Sequence, residues 1–252
     1  METTALATTV PDILPWRDLY RQEMHCQIVC DSLHGRPGWT QPYALQVDSA
    51  RVGYGSVAVG GPWQDKPAVF EVYVLPPYRA HLFELFTALL AASGAAMIQT
   101  QTNDAVMTLL LHTFARDIVS EKILFQDGSP TVHQVPGALF RPATADDVPE
   151  LLRQDLDPEA GWVVLVEGTL AAAGGILFHY NRPYGDIYMK VADPFRRRGL
   201  GSYLVQELKR VCSAQGSVPA ARCNPANVAS RKTLRKAGFV PCGHILTGTV
   251  VR

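Results

Sequence analysis

The chain has 252 residues, 47% apolar and 18% charged, with no net charge at pH 7. That composition excludes a disordered or low-complexity chain, and no apolar run reaches the roughly 18–20 residues that a membrane span requires. The charge is unevenly placed: residues 1–138 carry eight basic and thirteen acidic side chains (net −5), and residues 139–252 carry fifteen and ten (net +5).

A polyphosphate ligand would favour the basic half. Its basic residues are not interleaved with exposed aromatics, so no nucleic-acid partner is expected. The start, Met1 to Leu6, lacks a basic region and a long apolar core, so a cytoplasmic protein with no membrane partner is expected. Five cysteines at irregular spacing form neither a disulfide framework nor a zinc knuckle. Cys26 and Cys30 beside His25 suit a helix core better than a metal, and no metal is expected.

In chain order, residues 12–33 have a partly apolar helical face, and Gly35-Arg36-Pro37-Gly38 forces a loop. Strands are expected over 43–47, 52–59 and 68–75, the last ended by Pro76-Pro77. An amphipathic helix over 82–92 follows, then a short strand (96–100), a helix (105–115) and a strand (118–125). The order then repeats. Strands at 138–141, 162–166, 170–179 and 186–191 surround a short helix (148–154). A helix from Gly201, a strand (218–223), a helix (227–236) and a final strand (239–246) complete it.

The two halves share local residues as well. Glu71-Val72-Tyr73 echoes Asp186-Ile187-Tyr188, and Pro77-Tyr78-Arg79 echoes Pro194-Phe195-Arg196. Where the second half has Arg197-Arg198-Gly199-Leu200-Gly201, the first has Ala80-His81-Leu82-Phe83-Glu84. An internal duplication in which one copy has lost an anion site is the most economical reading of this pattern, and coincidence between two α/β segments is the alternative.

The second copy keeps that site. A strand ending near Val191 runs through Arg196-Arg197-Arg198-Gly199-Leu200-Gly201-Ser202 into a helix. Free amides at a helix N-terminus, its dipole and three arginines together suit a pyrophosphate. A dinucleotide-binding unit would need a preceding βαβ crossover and a third glycine. A P-loop would need a lysine before Ser202.

Residues 138–252 resemble the GNAT superfamily of acyl-CoA-dependent N-acyltransferases. The resemblance rests on the Arg196–Gly201 loop, on Val191 before it, on Asn227-Val228-Ala229-Ser230 followed by Lys236-Ala237-Gly238-Phe239, and on the opening Phe140–Asp147. It implies an α/β fold of mixed α+β character: two GNAT-like domains, each a twisted, mostly antiparallel mixed sheet flanked by helices. The expected domains are 1–137, degenerate, and 138–252, binding acetyl-CoA.

The resemblance further implies that amides from Arg197 to Ser202 hold the CoA pyrophosphate. The strand near Met189 and Val191 would splay at a bulge to take the pantetheine, and Asn227 and Ser230 would lie along it. The family's usual tyrosine falls on Leu234, which cannot protonate a thiolate. Candidates on the preceding strand are Asp186 as base and Tyr188 as acid, with Lys190 on the same side. His179 is a further candidate base, more simply a structural residue. Glu71, His25 and His112 are candidates from the first half, His112 more simply a core histidine. The segment 155–161 is too short for a second helix, so the first half, through residues 12–40 with Arg36 and Trp39, is expected to wall the acceptor pocket.

The implied reaction moves an acetyl group to a primary amine of a small molecule by direct attack in a ternary complex. A protein N-terminus or lysine as acceptor, and a non-catalytic acyl-CoA sensor, stay open, as does a homo-oligomer.

Overall fold

The computed structural model describes residues 2–24, 27, 30–178 and 180–251; His25, Cys26 and His179 lie outside the described residues. The chain forms two compact units, one of Met1–Glu121 with Gly243–Arg252, the other of Lys122–Cys242. The break expected at 137/138 therefore falls inside the second unit.

The first unit begins with β1 (Thr3–Ala7), a strand absent from the sequence-based reading, then α1 (Val10–Glu23) and a four-residue helical turn, α2 (Asp31–His34). The single helix expected over 12–33 is thus replaced by two. Next come β2 (Thr40–Val47), β3 (Ala50–Ala58), β4 (Ala68–Val74), α3 (Leu82–Ser93), β5 (Met97–Gln101) and α4 (Ala105–Phe114). β1 to β4 pair antiparallel in order, and β4 meets β5 in parallel only at Ala68 and Val69. Leu85, Phe86 and Leu89 of α3 and Met107, Leu110 and Leu111 of α4 recur at helical spacing and are fully buried against Val69, Val72 and Ile98.

The second unit holds β7 (Ala138–Pro142), α5 (Val148–Arg153), β8 (Trp162–Val166), β9 (Thr169–Leu177), β10 (Tyr184–Val191), α6 (Leu200–Ala214), β11 (Val218–Cys223) and α7 (Val228–Lys236). β7 to β10 are antiparallel neighbours, and β10 runs parallel to β11. Leu200, Leu204, Val205, Leu208 and Cys212 form the buried stripe of α6.

Two long strands explain where the units divide. β6 (Ala115–Asp127) places Ile123–Gln126 beside β11 of the second unit. β12 (Phe239–Val250) places Ile245–Thr249 beside β5 of the first. The segment after β6 is fastened to α6: buried Lys209 donates to the Ser129 and Ala237 carbonyls and pairs with Asp127 at 2.6 Å, while Gln206 exchanges hydrogen bonds with the His133 backbone. Gly238 is required here, since its φ is +86° and a Cβ would lie 2.1 Å from the Ser129 carbonyl oxygen.

Candidate functional site

In the second unit β10 and β11 pair at Tyr184, Gly185 and Asp186 only, while β10 stays in register with β9 through Val191. The edge of β10 from Ile187 onward therefore leaves its parallel neighbour. The expected splay is present, but its register against β9 is unbroken, so strand divergence replaces the expected bulge. A cavity of about 200 Å³ opens there, lined by Asp186, Tyr188, Met189, Arg222, Ser230 and Leu234, among others.

Asp186, Tyr188 and Lys190 alternate onto one face, and each has a partner. Arg222 Nε lies 3.0 Å from Asp186 Oδ2, and Arg222 also stacks 4.0 Å from the Tyr180 ring and donates to its hydroxyl. Burial pushes the Asp186 carboxyl up to about 7. Tyr188 is also pushed well up, first by burial, then by its hydrogen bond to Asp157 and the nearby charge of Glu159, so it stays a phenol. Its ring lies over Gly175, where a Cβ would come within 2.9 Å of it. Lys190 pairs with Asp155 at 2.7 Å.

The loop from Asp155 to Gly161 has no helix, as its length implied, yet it is anchored by buried Leu156 and Ala160. It thus sets carboxylates beside β10. Arg222, Gly175, Asp157 and Tyr180 were not found from the sequence; a lone arginine inside the apolar strand 218–223 was the available signal.

Beyond Val191 the chain makes a 3-10 turn at Asp193–Phe195, then visits left-handed conformations at Arg197 (φ +63°) and Gly199 (φ +83°) before α6 begins. The amides of residues 197–202 have no acceptor among the described residues; the first helical bond runs from the Tyr203 N–H to the Gly199 carbonyl. Six consecutive free donors ahead of a fifteen-residue helix fit a pyrophosphate.

The individual roles sharpen. The Leu200 and Ser202 side chains turn inward, Ser202 Oγ donating to the Thr233 carbonyl, so these residues offer only main chain to a ligand. Gly201 leaves room beside Thr233, Val191 and Met189. Arg196 turns back onto the Val191 carbonyl and Asp193. Arg198 lies over Phe195, and Arg197 and Arg198 are both exposed. Asn227 caps α7 by accepting from the Ser230 N–H at 2.9 Å, and Ser230 lines the cavity.

The first unit builds the same frame and closes it. Its parallel pairing stops at Val69, as that of the second stops at Asp186, and Arg79 donates to Val74 as Arg196 does to Val191. This register sets Val69 with Asp186 and Glu71 with Tyr188, so the echo of 71–73 in 186–188 is displaced by two residues. A 3-10 segment, Pro76–His81, runs directly into α3, and the Leu82 N–H bonds to the Arg79 carbonyl.

Fourteen-residue α1 covers the face that six-residue α5 leaves open. Its Tyr20 hydroxyl donates to Asp104, the cap of α4, and its Arg17 is buried against Glu71 at 2.8 Å. Glu71 also accepts from Tyr54 and contacts His34, so it reaches no open cleft. Burial raises its pKa, but Arg17 and His34 bring it down to about 2. His112 is exposed on α4 and is no core histidine. Arg36 stacks 4.4 Å above Trp39, which packs with Leu33, Ala58 and Phe70 within the first unit.

Comparison with known proteins agrees with this frame. Residues 131–239 match the acetyltransferase (GNAT) family. Over its whole length the chain superimposes on a GNAT-family acetyltransferase from Colwellia psychrerythraea (14% identity, 100% of both chains, TM-score 0.75). It likewise superimposes on a tandem GNAT protein from the clavulanic acid biosynthesis pathway (14% identity, 100% of this chain and 99% of that one, TM-score 0.65). A GCN5-related N-acetyltransferase from Sphaerobacter thermophilus is similar at 16% identity over 99% and 96% of the two chains, with a TM-score of 0.56. No curated protein matches the chain in sequence. The fold is therefore the mixed α/β tandem arrangement.

Proposed function

Residues 131–239 match the acetyltransferase (GNAT) family, and on that premise we propose that the second unit transfers an acetyl group from acetyl-CoA to a primary amine of a small molecule. The observation that carries this reading is the continuity of two features. Six free amides at residues 197–202 end a splayed strand, and the same strand carries a partly buried carboxylate, Asp186, into the adjoining cavity.

The loop amides hold the pyrophosphate, with Arg197 and Arg198 adding positive charge. The free edge of β10 at Met189 and Val191 takes the pantetheine as a strand would be taken, and Asn227 and Ser230 flank it. Acetyl-CoA supplies the activated acyl carbon. Asp186, held by Arg222, accepts the proton that the attacking amine loses, directly or through water. The new N–C bond forms as the C–S bond breaks. The Tyr188 hydroxyl gives its proton to the departing thiolate, standing in for the tyrosine that Leu234 replaces, and is reprotonated from solvent.

The carboxylates of Asp155, Asp157 and Glu159 favour a cationic acceptor at this face. The first unit, whose loop amides enter α3 and whose cleft is filled by α1, is read as structural.

One observation favours a second reading. Leu234 is buried where the family's usual proton donor stands, which suits a non-catalytic acyl-CoA sensor. Calorimetry with acetyl-CoA tests the shared claim, and absence of binding at high micromolar concentration would overturn both readings. Thiol release with a panel of small amines then separates enzyme from sensor.

A further inference from the structure

On the side of α7 turned away from Ser230 and Leu234, a groove of about 900 Å³ runs between this helix and the strands β6 and β12. Its floor is apolar: Ile123 on β6, Val240 and Pro241 on β12 and Val228 on α7 keep exposed surface there, over the buried rings of Phe125 and Phe239. Its wall is cationic. Arg231, Lys232, Arg235 and Lys236 all line it, and no acidic residue does.

Helical spacing puts Arg231 above Arg235 and Lys232 above Lys236, an arrangement in which like charges repel. Placement of Arg235 and Lys236 in the last turn answers the helix dipole, but it does not account for Arg231 and Lys232, a full turn earlier. None of the four takes part in an ion pair among the described residues. The Nε of Arg231 is moreover buried with no hydrogen-bond partner. That shielded Nε leaves the Arg231 guanidinium without a protein acceptor among the described residues, so its charge stays uncompensated within them.

We propose that this groove is a second ligand site, separate from the splayed-strand cleft, for a small amphipathic anion whose apolar body lies on Ile123, Val228 and Val240 and whose carboxylate or phosphate meets Arg231 and Arg235. The volume lies within the range of small-molecule pockets, roughly 300–1,000 Å³. The mixture of apolar floor and uncompensated cations selects for a ligand that has both parts. A fully hydrophilic anion leaves the floor wet, and a neutral apolar molecule leaves the cations unanswered. The two arginines suit bidentate capture of an oxyanion better than the two lysines, which add charge at the rim.

Calorimetry on the full-length protein tests this with decanoate and 1-naphthyl phosphate as probes, each titrated with and without saturating CoA. The expected result is binding of at least one probe that CoA does not displace, with little binding of 1-decanol. Binding should weaken at least tenfold in Arg231→Gln/Arg235→Gln and severalfold in Lys232→Gln/Lys236→Gln, whose exposed side chains can be changed without disturbing the fold. Asp186→Asn should leave it unchanged.

Displacement of both probes by CoA would overturn the proposal, as would unaltered affinity in both double variants or no binding of either probe. Capture of an acidic peptide such as oligoglutamate by a protein that ignores both small anions would also overturn it, in favour of a protein partner. A protein that fails to bind acetyl-CoA yet binds decanoate in this arginine-dependent way would refute the proposed function and leave the groove intact.

Discussion

Arg222 and Asp186 face each other across the point where β10 and β11 part, with guanidinium Nε and carboxylate Oδ2 3.0 Å apart. Asp186 is paired with β11 at Ala220, and Arg222 lies just beyond, on the diverging stretch. The pair therefore sits at the mouth of the splay, where the carboxylate can be buried without losing its charged form altogether.

With Asp186 raised to about 7 by burial, kcat/KM should fall tenfold per pH unit below about 7 and level off above it. Arg222→Gln removes the positive charge 3.0 Å from the carboxylate, so the midpoint should move up in pH. The linkage sign is that of a raised acid. Its contribution to stability is full below the unfolded value of 3.8 and is lost as pH rises through about 7. Asp186→Asn should abolish the activity limb and flatten that part of the stability profile. An unchanged pH–rate profile in this variant would rule Asp186 out as the base.

Tyr188→Phe tests the proton donor. Removing the hydroxyl should lower kcat about tenfold to a hundredfold with little change in acetyl-CoA affinity. Full turnover in this variant would leave solvent as the source of the proton.

The loop is tested by contrasting substitutions. Gly199→Ala forces a side chain into a φ of +83°, a cost of about 1–2 kcal/mol, and should weaken acetyl-CoA binding about tenfold by turning amides away. Arg198→Glu should weaken it at least as much without loss of fold, because that side chain is exposed. Glu84→Ala, in the corresponding stretch of the first unit, should not change it. Equal affinities in all three proteins would remove the pyrophosphate from this loop.

Thermal unfolding tests the closed copy. Glu71 is lowered from 4.5 to about 2, so its contribution of about 3 kcal/mol, at 1.36 kcal/mol per pH unit, is present above 4.5 and lost as pH falls through about 2. Asp104, raised to about 6 by burial against the hydrogen bonds from Met107 and Tyr20, has the opposite sign; its contribution is full below 3.8 and lost through about 6. Arg17→Met should destabilise by roughly 3–5 kcal/mol while acetyl-CoA affinity in the second unit stays unchanged. A loss of affinity at constant stability would show that the first unit serves the ligand.

Fragments follow the units rather than the repeat. Residues 138–252 omit the β6 segment that pairs with β11 and the Ser129 and His133 backbone groups that Lys209 and Gln206 bind. Circular dichroism should find this fragment largely unfolded. Cooperative unfolding of 138–252 alone would contradict the division at Glu121 and Lys122.

Much of the fold was legible because local pattern dictates it. Strands 162–166 and 218–223 and the helices after Gly199 and Asn227 carry their periodicity and punctuation in consecutive residues. β1 was missed because a five-residue strand at the chain start has only partial alternation. The repeat was visible, yet its register at 71–73 was wrong by two residues, because similar side chains do not reveal where a parallel pairing ends.

The sequence by itself determined the loop, on which the anion-binding proposal rests. Glycine at 199, the neighbouring arginines and a helix start are short-range features, and a main-chain anion site needs little else. Tertiary structure decided which copy is open, through the length of α1 against α5, and which strand completes which unit. It also decided that Arg222 holds Asp186 while Arg17 seals Glu71. Those outcomes depend on contacts between residues far apart in the chain, where burial and charge are set by the partner and not by the neighbour in sequence.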